Sequence, residues 1–159
     1  MEKYPYLPEG RSFIYVSEED PFMQEAKDAW ENLSNDSAHP TGAVVVLDNK
    51  IIGKAGNTTP LGWFKPYYLA HKKGFCFRKI LKIPSGQKYY LCPGCANHTN
   101  HPERKTIAMA QKVSPDLSQA DLYLYGHWWC CKPCWGAMIE AGIRNVYLLD
   151  KSEELWKRK

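Results

Sequence analysis

Two short motifs, His101-Pro102-Glu103 and Cys131-Lys132-Pro133-Cys134, are separated by 27 residues and constrain this chain more than any other feature. Between them they supply one imidazole, two thiolates and a carboxylate, in an order that suits a catalytic zinc. Zn²⁺ favours nitrogen and sulfur ligands in a tetrahedron, and a catalytic site leaves one of its four positions to water. Bound zinc lowers the pKa of that water towards ~7. Glu103 follows a ligand by two residues, a place from which it can shuttle protons without binding the metal. Any fold of this chain has to bring the two motifs to one point.

The patterning around them predicts how. Asp20-Pro21 opens a helix, with Asp20 as N-cap and Pro21 at the first helical position. Phe22, Ala26, Trp30 and Leu33 then recur at helical spacing and predict one apolar face. Residues 41–48 (TGAVVVLD) read as a buried strand, and Asp48-Asn49-Lys50 turns the chain into a second strand, 51–55, making a hairpin. A helix is expected from His101 to Val113, with Ile107, Ala108 and Ala110 as its contacts. A strand follows at 121–125, a helix from Cys131 to Ala141 ended by Gly142, and a strand at 145–149. Residues 151–159 predict a short terminal helix. The second half is thus a βαβ unit, which requires parallel pairing and a right-handed crossover. The expected class is α/β, a mixed sheet of four to five strands flanked by helices. Four strands are legible, with a fifth to come from a short segment elsewhere or from a partner. Both zinc motifs fall at helix N-termini, where unpaired N–H groups and the helix dipole stabilise anionic groups.

A chain of 159 residues, 44% of them apolar, suits one domain with a real core. No apolar run approaches the ~20 residues needed to span a membrane. Met1-Glu2-Lys3-Tyr4-Pro5 lacks the segments of a signal peptide, so a cytoplasmic protein is expected. A net charge of +4 is compatible with a phosphorylated substrate and falls short of a nucleic-acid-binding signature. Lys157-Arg158-Lys159 reads as a solvated end.

Six cysteines without a signal peptide point to metal before disulfides. Residues 60–100 form an irregular stretch with no clear periodicity, which implies function or a constraint other than a core. Within it, Cys92-Pro93-Gly94-Cys95-Ala96-Asn97-His98 has C-x-x-C-x-x-H spacing. Cys92, Cys95 and His98, with Cys76 as fourth ligand, predict a second, structural zinc; the competing readings are loosely placed thiols or a set borrowing His71. Cys130 reads as a packed thiol. Trp63, Phe64, Tyr67 and Tyr68 read as core or lid packing in preference to base stacking. Arg78 and Lys82 read equally as phosphate contacts or solvated charges, and Trp128 and Trp129 equally as pocket walls or core.

H-x-E … P-C-x-x-C is the known pattern of zinc-dependent base deaminases, which this chain matches except that Cys130 stands in place of the proline. The chain resembles the cytidine/deoxycytidylate deaminase superfamily beyond that motif. Thr41 to Val46, Ile51-Ile52-Gly53 and Asn57 look like the family's first hairpin and its substrate-contacting asparagine. Residues 137–146 (AMIEAGIRNV) are similar to its helix and strand after the second zinc cysteine. Asn57-Thr58-Thr59-Pro60-Leu61-Gly62, Cys76-Phe77-Arg78, Ile83-Pro84-Ser85-Gly86 and Cys92 narrow the resemblance to deoxycytidylate deaminases. Together these cover roughly residues 20–150.

The resemblance implies a three-layer α/β/α fold, His101, Cys131 and Cys134 as zinc ligands, and Glu103 as proton shuttle. It further implies that Asn57 bonds sugar or base and that the Cys130 carbonyl holds the base amino group. The reaction implied is hydrolytic loss of ammonia from C4 of a cytosine nucleotide or nucleoside, dCMP foremost, by a homo-oligomer. The departures are Pro102, Arg104-Lys105-Thr106, His127 and Trp128-Trp129-Cys130, and they predict a reshaped pocket. The competing readings are a deaminase of a base within RNA or DNA, and a zinc-stabilised binding protein that has lost turnover.

Overall fold

A computed structural model describes residues 5–84 and 87–157. Ser85-Gly86 and Arg158-Lys159, which the sequence reading drew on, lie outside the described residues, as do Met1 to Tyr4. In chain order the elements are β1 (Phe13–Val16), α1 (Pro21–Asn32), β2 (Gly42–Leu47), β3 (Lys50–Gly56), α2 (Lys65–Lys72), α3 (Phe77–Ile80), α4 (Pro102–Val113), β4 (Asp121–Tyr125), α5 (Lys132–Ala141), β5 (Asn145–Leu149) and α6 (Ser152–Trp156). Single 3-10 turns sit at Tyr89–Leu91 and His98–Asn100.

The five strands form one mixed sheet in the order β1-β5-β4-β2-β3. The β2–β3 hairpin closes through Asp48 and Asn49, both left-handed at φ 49° and 62°, a conformation that Asp and Asn tolerate better than most residues. β4 runs antiparallel to β2 and parallel to β5, so β4–α5–β5 is the expected βαβ unit. The fifth strand is β1, parallel to β5 with Phe13 opposite Val146. It is only four residues long, lies at the sheet edge and leaves Tyr15 54% exposed, so its hydrophobic signal is weak.

Helices cover both faces, giving the three-layer α/β/α sandwich. On one face α1 packs Met23 and Ala26 against Val44, Val46, Tyr123 and Tyr125. On the other, α4 and α5 bury Ile107, Ala110, Trp135 and Met138 against Val45, Leu122, Leu124 and Val146. Each fully buried aliphatic side chain here stabilises the fold by roughly 2 kcal/mol.

Two helix faces differ from the sequence reading. α1 starts where expected, with Asp20 Oδ1 accepting from the N–H of Phe22 and Met23 at 2.9 and 3.0 Å. Its buried stripe, however, is Met23-Ala26-Ala29, and Leu33 is 45% exposed. The reason is steric: a Cβ at Gly42 would stand 2.2 Å from the Trp30 nitrogen and 2.3 Å from the Ala26 oxygen. A backbone approach that close admits only small residues on the facing turn. On α4, Ala108 faces solvent and Thr106 is buried in its place. Here a Cβ at Gly53 would meet the Thr106 carbonyl oxygen at 2.4 Å, so β3 and α4 are also in near-backbone contact. No helix among the described residues is long and apolar enough to cross a membrane.

Candidate active site

α4 and α5 both begin at the same end of the sheet. His101 is the N-cap of α4 and Cys131 the N-cap of α5; each is extended, and each helix has proline in its first turn. Proline suits that position because its missing N–H would have had no helical partner. The two helix starts bring His101, Cys131 and Cys134 together, 30 and 33 residues apart in sequence for the two thiols.

His101 Nδ1 lies 3.5 Å from each sulfur, and the sulfurs are 3.3 Å apart. Around one tetrahedral zinc, with Zn–S of about 2.3 Å and Zn–N of about 2.0 Å, nitrogen and sulfur ligands stand about 3.5 Å apart and two sulfurs about 3.8 Å. The other side of the His101 ring donates to the Ala96 carbonyl, leaving Nδ1 turned to the sulfurs. Orientation of a metal-binding histidine by a carbonyl on its second nitrogen is the usual arrangement. The donor set therefore fits zinc: three protein ligands, with one tetrahedral position remaining. The pKa values of Cys131 and Cys134 are pushed in opposite directions. Their mutual hydrogen bond holds Cys131 low, helped by His101, and that bond together with burial holds Cys134 high.

Glu103 sits in the first turn of α4 and is 4% exposed. Burial raises its pKa, against the pull of the neighbouring His101 charge, and its carboxylate also accepts a hydrogen bond from the Cys130 thiol. Burial draws the His101 imidazole down, but the bond with Cys131 and the charge of Glu103 outweigh it and leave its pKa raised. His127 is pushed down to about 4, first by burial and then by the His101 charge, so it is neutral at physiological pH.

These groups open into a cavity of about 730 Å³, whose lining includes His101, Glu103, Cys131, His127, Trp128 and Trp129. Trp128 and Trp129 meet edge to face at 6.4 Å, and Trp129 also packs on the core. Cys130 is fully buried, as a packed thiol should be. Among the four aromatics at 63–68, Trp63 is 75% exposed and none lines the cavity; Tyr67 stacks on His71 instead.

Asn57 lines the cavity, but its side chain is fully engaged within the protein. Oδ1 accepts from Ser34 Oγ at 2.6 Å and the Thr41 N–H at 2.9 Å, while Nδ2 donates to Asp36 and to the His39 carbonyl at 3.1 and 2.8 Å. All four hydrogen-bonding positions of an amide are taken. Arg78 likewise lines the cavity yet is 9% exposed, donating to the carbonyls of Gln87 and Pro84 at 2.8 and 2.9 Å with its plane 4.1 Å over Tyr89. Three of its five N–H groups are spent on the protein, counting the one turned to Cys95, which leaves little for a phosphate. Lys105 occupies a departure from the deaminase pattern: its ammonium donates to the Gly56 carbonyl at 2.8 Å, tying α4 to the end of β3.

The second cysteine group assembles with one change of ligand. His71, Cys76, Cys92 and Cys95 place their ligand atoms within 4.8 Å of one another, and His98 is not among them. His98 lies on its own 3-10 turn, where the Asn97 side chain caps the following N–H groups and carries the chain away from Cys95. His71 enters from α2, and Gly94 makes room for it: a Cβ there would stand 2.4 Å from the His71 ring. Sequence spacing favoured the local histidine, and only the fold brings the remote one into place.

A three-layer α/β/α domain that presents a His/Cys/Cys metal set on two helix N-termini, with a glutamate in the first turn of one of them, defines the zinc-dependent hydrolytic deaminases as a class. Residues 16–150 match the sequence model of the cytidine and deoxycytidylate deaminase zinc-binding region, and the chain belongs to that family. No curated protein of similar sequence is matched. Among solved structures, the chain is similar to a tRNA:A34 deaminase (25% identity, 69% of this chain and 61% of that one, TM-score 0.39). It is also similar to guanine deaminase from Bacillus subtilis (18%, 84% and 66%, TM-score 0.47). A third is dCMP deaminase from the cyanophage S-TIM5 (18%, 86% and 86%, TM-score 0.47). The chain thus spans about three fifths of the tRNA deaminase it matches, 61%.

Proposed function

We propose that this chain is a cytoplasmic, homo-oligomeric hydrolytic deaminase of free cytosine nucleotides, with dCMP the leading substrate, which it converts to the uracil form with release of ammonia. The observation that carries the reading is Glu103, a buried carboxyl that lines the same cavity as His101 and Cys131.

His101, Cys131 and Cys134 would hold the zinc, which would supply a water of pKa lowered towards neutrality. Glu103 carries the protons. Its carboxylate accepts one proton from the attacking water as the water oxygen bonds C4, and delivers that proton to N3 of the ring. It then takes the second proton from the C4 hydroxyl and gives it to the departing amino group, so that the C4–N bond breaks as the C4 carbonyl forms and ammonia leaves. Burial favours its neutral form, which suits a group that must hold a proton between steps. The backbone carbonyl of Cys130 accepts from the base amino group, and Trp128 and Trp129 wall the base. Because Asn57 and Arg78 are engaged by the protein, their part is to shape the pocket, and Lys79, exposed at the cavity wall, meets the phosphate.

The test is an ammonia-release screen over cytosine, adenine and guanine nucleosides and nucleotides, with single-stranded DNA and RNA included. Turnover of dCMP above the other free substrates is expected. Turnover confined to a base within nucleic acid, or to a purine, would replace the assignment of substrate. Light scattering checks the oligomer, and a monomer at micromolar concentration would remove that part.

A further inference from the structure

Residues 57–100 contribute nothing to either hydrophobic core cluster among the described residues, although they form one wall of the active-site cavity. Something else has to hold them. Within this segment Cys76 Sγ stands 3.7 Å from Cys92 Sγ and 3.6 Å from Cys95 Sγ, and Cys95 Sγ stands 3.7 Å from His71 Nε2. A disulfide needs about 2.05 Å, and all these cysteines are free. The spacings match ligands sharing one tetrahedral zinc, about 3.5 to 3.8 Å.

The surroundings are those of a built site. His71 is 4% exposed, and its Nδ1 meets Ser37 Oγ at 3.1 Å, which turns Nε2 inward. The Cys92 sulfur accepts from the backbone N–H groups of Phe77 and Gly94. Three thiolates around a divalent ion leave one negative charge, and the buried Arg78 guanidinium points Nη1 at Cys95 Sγ, 3.7 Å away, where it offsets that charge. Four protein ligands leave no position for water or substrate, so an ion here is structural.

Two short paths lead from this cluster to the catalytic ligand His101. Ala96, the next residue after Cys95, supplies the carbonyl to which the His101 ring donates. Arg78, two residues after Cys76, lies over Tyr89, and Tyr89 meets the His101 ring edge to face at 5.9 Å.

We propose that His71, Cys76, Cys92 and Cys95 bind a second, four-coordinate zinc, and that this ion positions His101 through Ala96 and through the Arg78–Tyr89 stack. It sets how tightly the first zinc is held. Removing a group that orients a metal ligand typically weakens metal affinity 10- to 100-fold, and that is the size of effect expected.

The experiment counts zinc per chain on the whole protein and titrates its release with a competing chelator, so it does not depend on any substrate. Wild type should carry two zincs and His98→Ala two. His71→Cys, which keeps four ligands, should also carry two. His71→Ala should carry one, and its remaining zinc should leave at 10- to 100-fold lower chelator concentration than the first-site zinc of wild type. One zinc in wild type, or two in His71→Ala, overturns the site. One zinc in His71→Ala held as tightly as in wild type overturns the coupling. Where His71→Ala yields no folded chain, Arg78→Lys takes its place: it keeps all four ligands but loses the planar stack. It should carry two zincs with the first-site zinc loosened, and unchanged affinity overturns the coupling. Loss of the deaminase assignment would leave every one of these readings intact.

Discussion

The side-chain amide of Asn57 donates to the carboxylate of Asp36 at 3.1 Å, a contact between two buried polar residues 21 positions apart. Asp36 in turn accepts from the N–H groups of Ala38 and His39, each at 2.9 Å. The residues entering β2 are thereby fastened to the end of β3, and this bracket forms one border of the catalytic cavity. Asn57→Ala would remove the partner of a buried Asp36 carboxylate oxygen and of the Thr41 N–H at once. A loss of about 3 kcal/mol in unfolding free energy is expected in urea titration. A midpoint equal to that of wild type would show that water replaces the amide without cost.

Glu103→Ala should keep its zinc and lose 10²- to 10⁴-fold in ammonia release, the usual range for a positioned acid–base group. Metal content measured beside turnover separates the two effects. Undiminished turnover would assign the proton transfers to another residue.

Gly53→Ala tests how closely α4 must lie on the sheet. The new Cβ would stand 2.4 Å from the Thr106 carbonyl, a backbone atom that cannot rotate away. Relief requires α4 to shift, at about 2 to 3 kcal/mol, and α4 carries both His101 and Glu103. Stability and ammonia release should fall together. A variant with full turnover and a lowered midpoint would mean that the helix start tolerates the shift.

His127 makes stability depend on pH. Its pKa is about 4 in the folded protein and about 6.5 in an unfolded chain. Between those values the unfolded chain binds the extra proton, so stability is complete above pH about 6.5 and is lost as pH falls towards 4. The ring keeps part of its surface in water, so the loss is on the order of 1 to 3 kcal/mol. His127→Gln should flatten the dependence of melting temperature on pH in that window. Identical slopes for wild type and variant would refute this account, and zinc release on acidification acts on both proteins alike.

The parts legible in the sequence were those with local causes. Asp20-Pro21 marked the start of α1, Asp48-Asn49 the hairpin turn, and the run of valines the central strand β2. The zinc triad was legible because each motif sits within one turn of its own helix start, and helix starts announce themselves through proline and capping residues. β1 was missed because an edge strand of four residues buries little, and burial is what produces a readable pattern. The face of α1 was misread by one position because the choice between Trp30 and Ala29 depends on Gly42, a residue on another element. Asn57 and Arg78 carried the right side chains for a substrate contact, but their partners at Asp36, Pro84 and Gln87 are separate segments that no spacing relates to them.

Taken by itself, the sequence named the candidate groups of the first metal site, one imidazole and two thiolates, and the carboxyl beside them. Those identities are covalent, and helix periodicity carries them a turn at most. The tertiary structure alone decided that His71 and not His98 completes the second cluster, and that Ala96 and Tyr89 reach His101. Such choices turn on distances between segments that only packing brings together. A sequence states which ligands exist, and the packed chain selects among them.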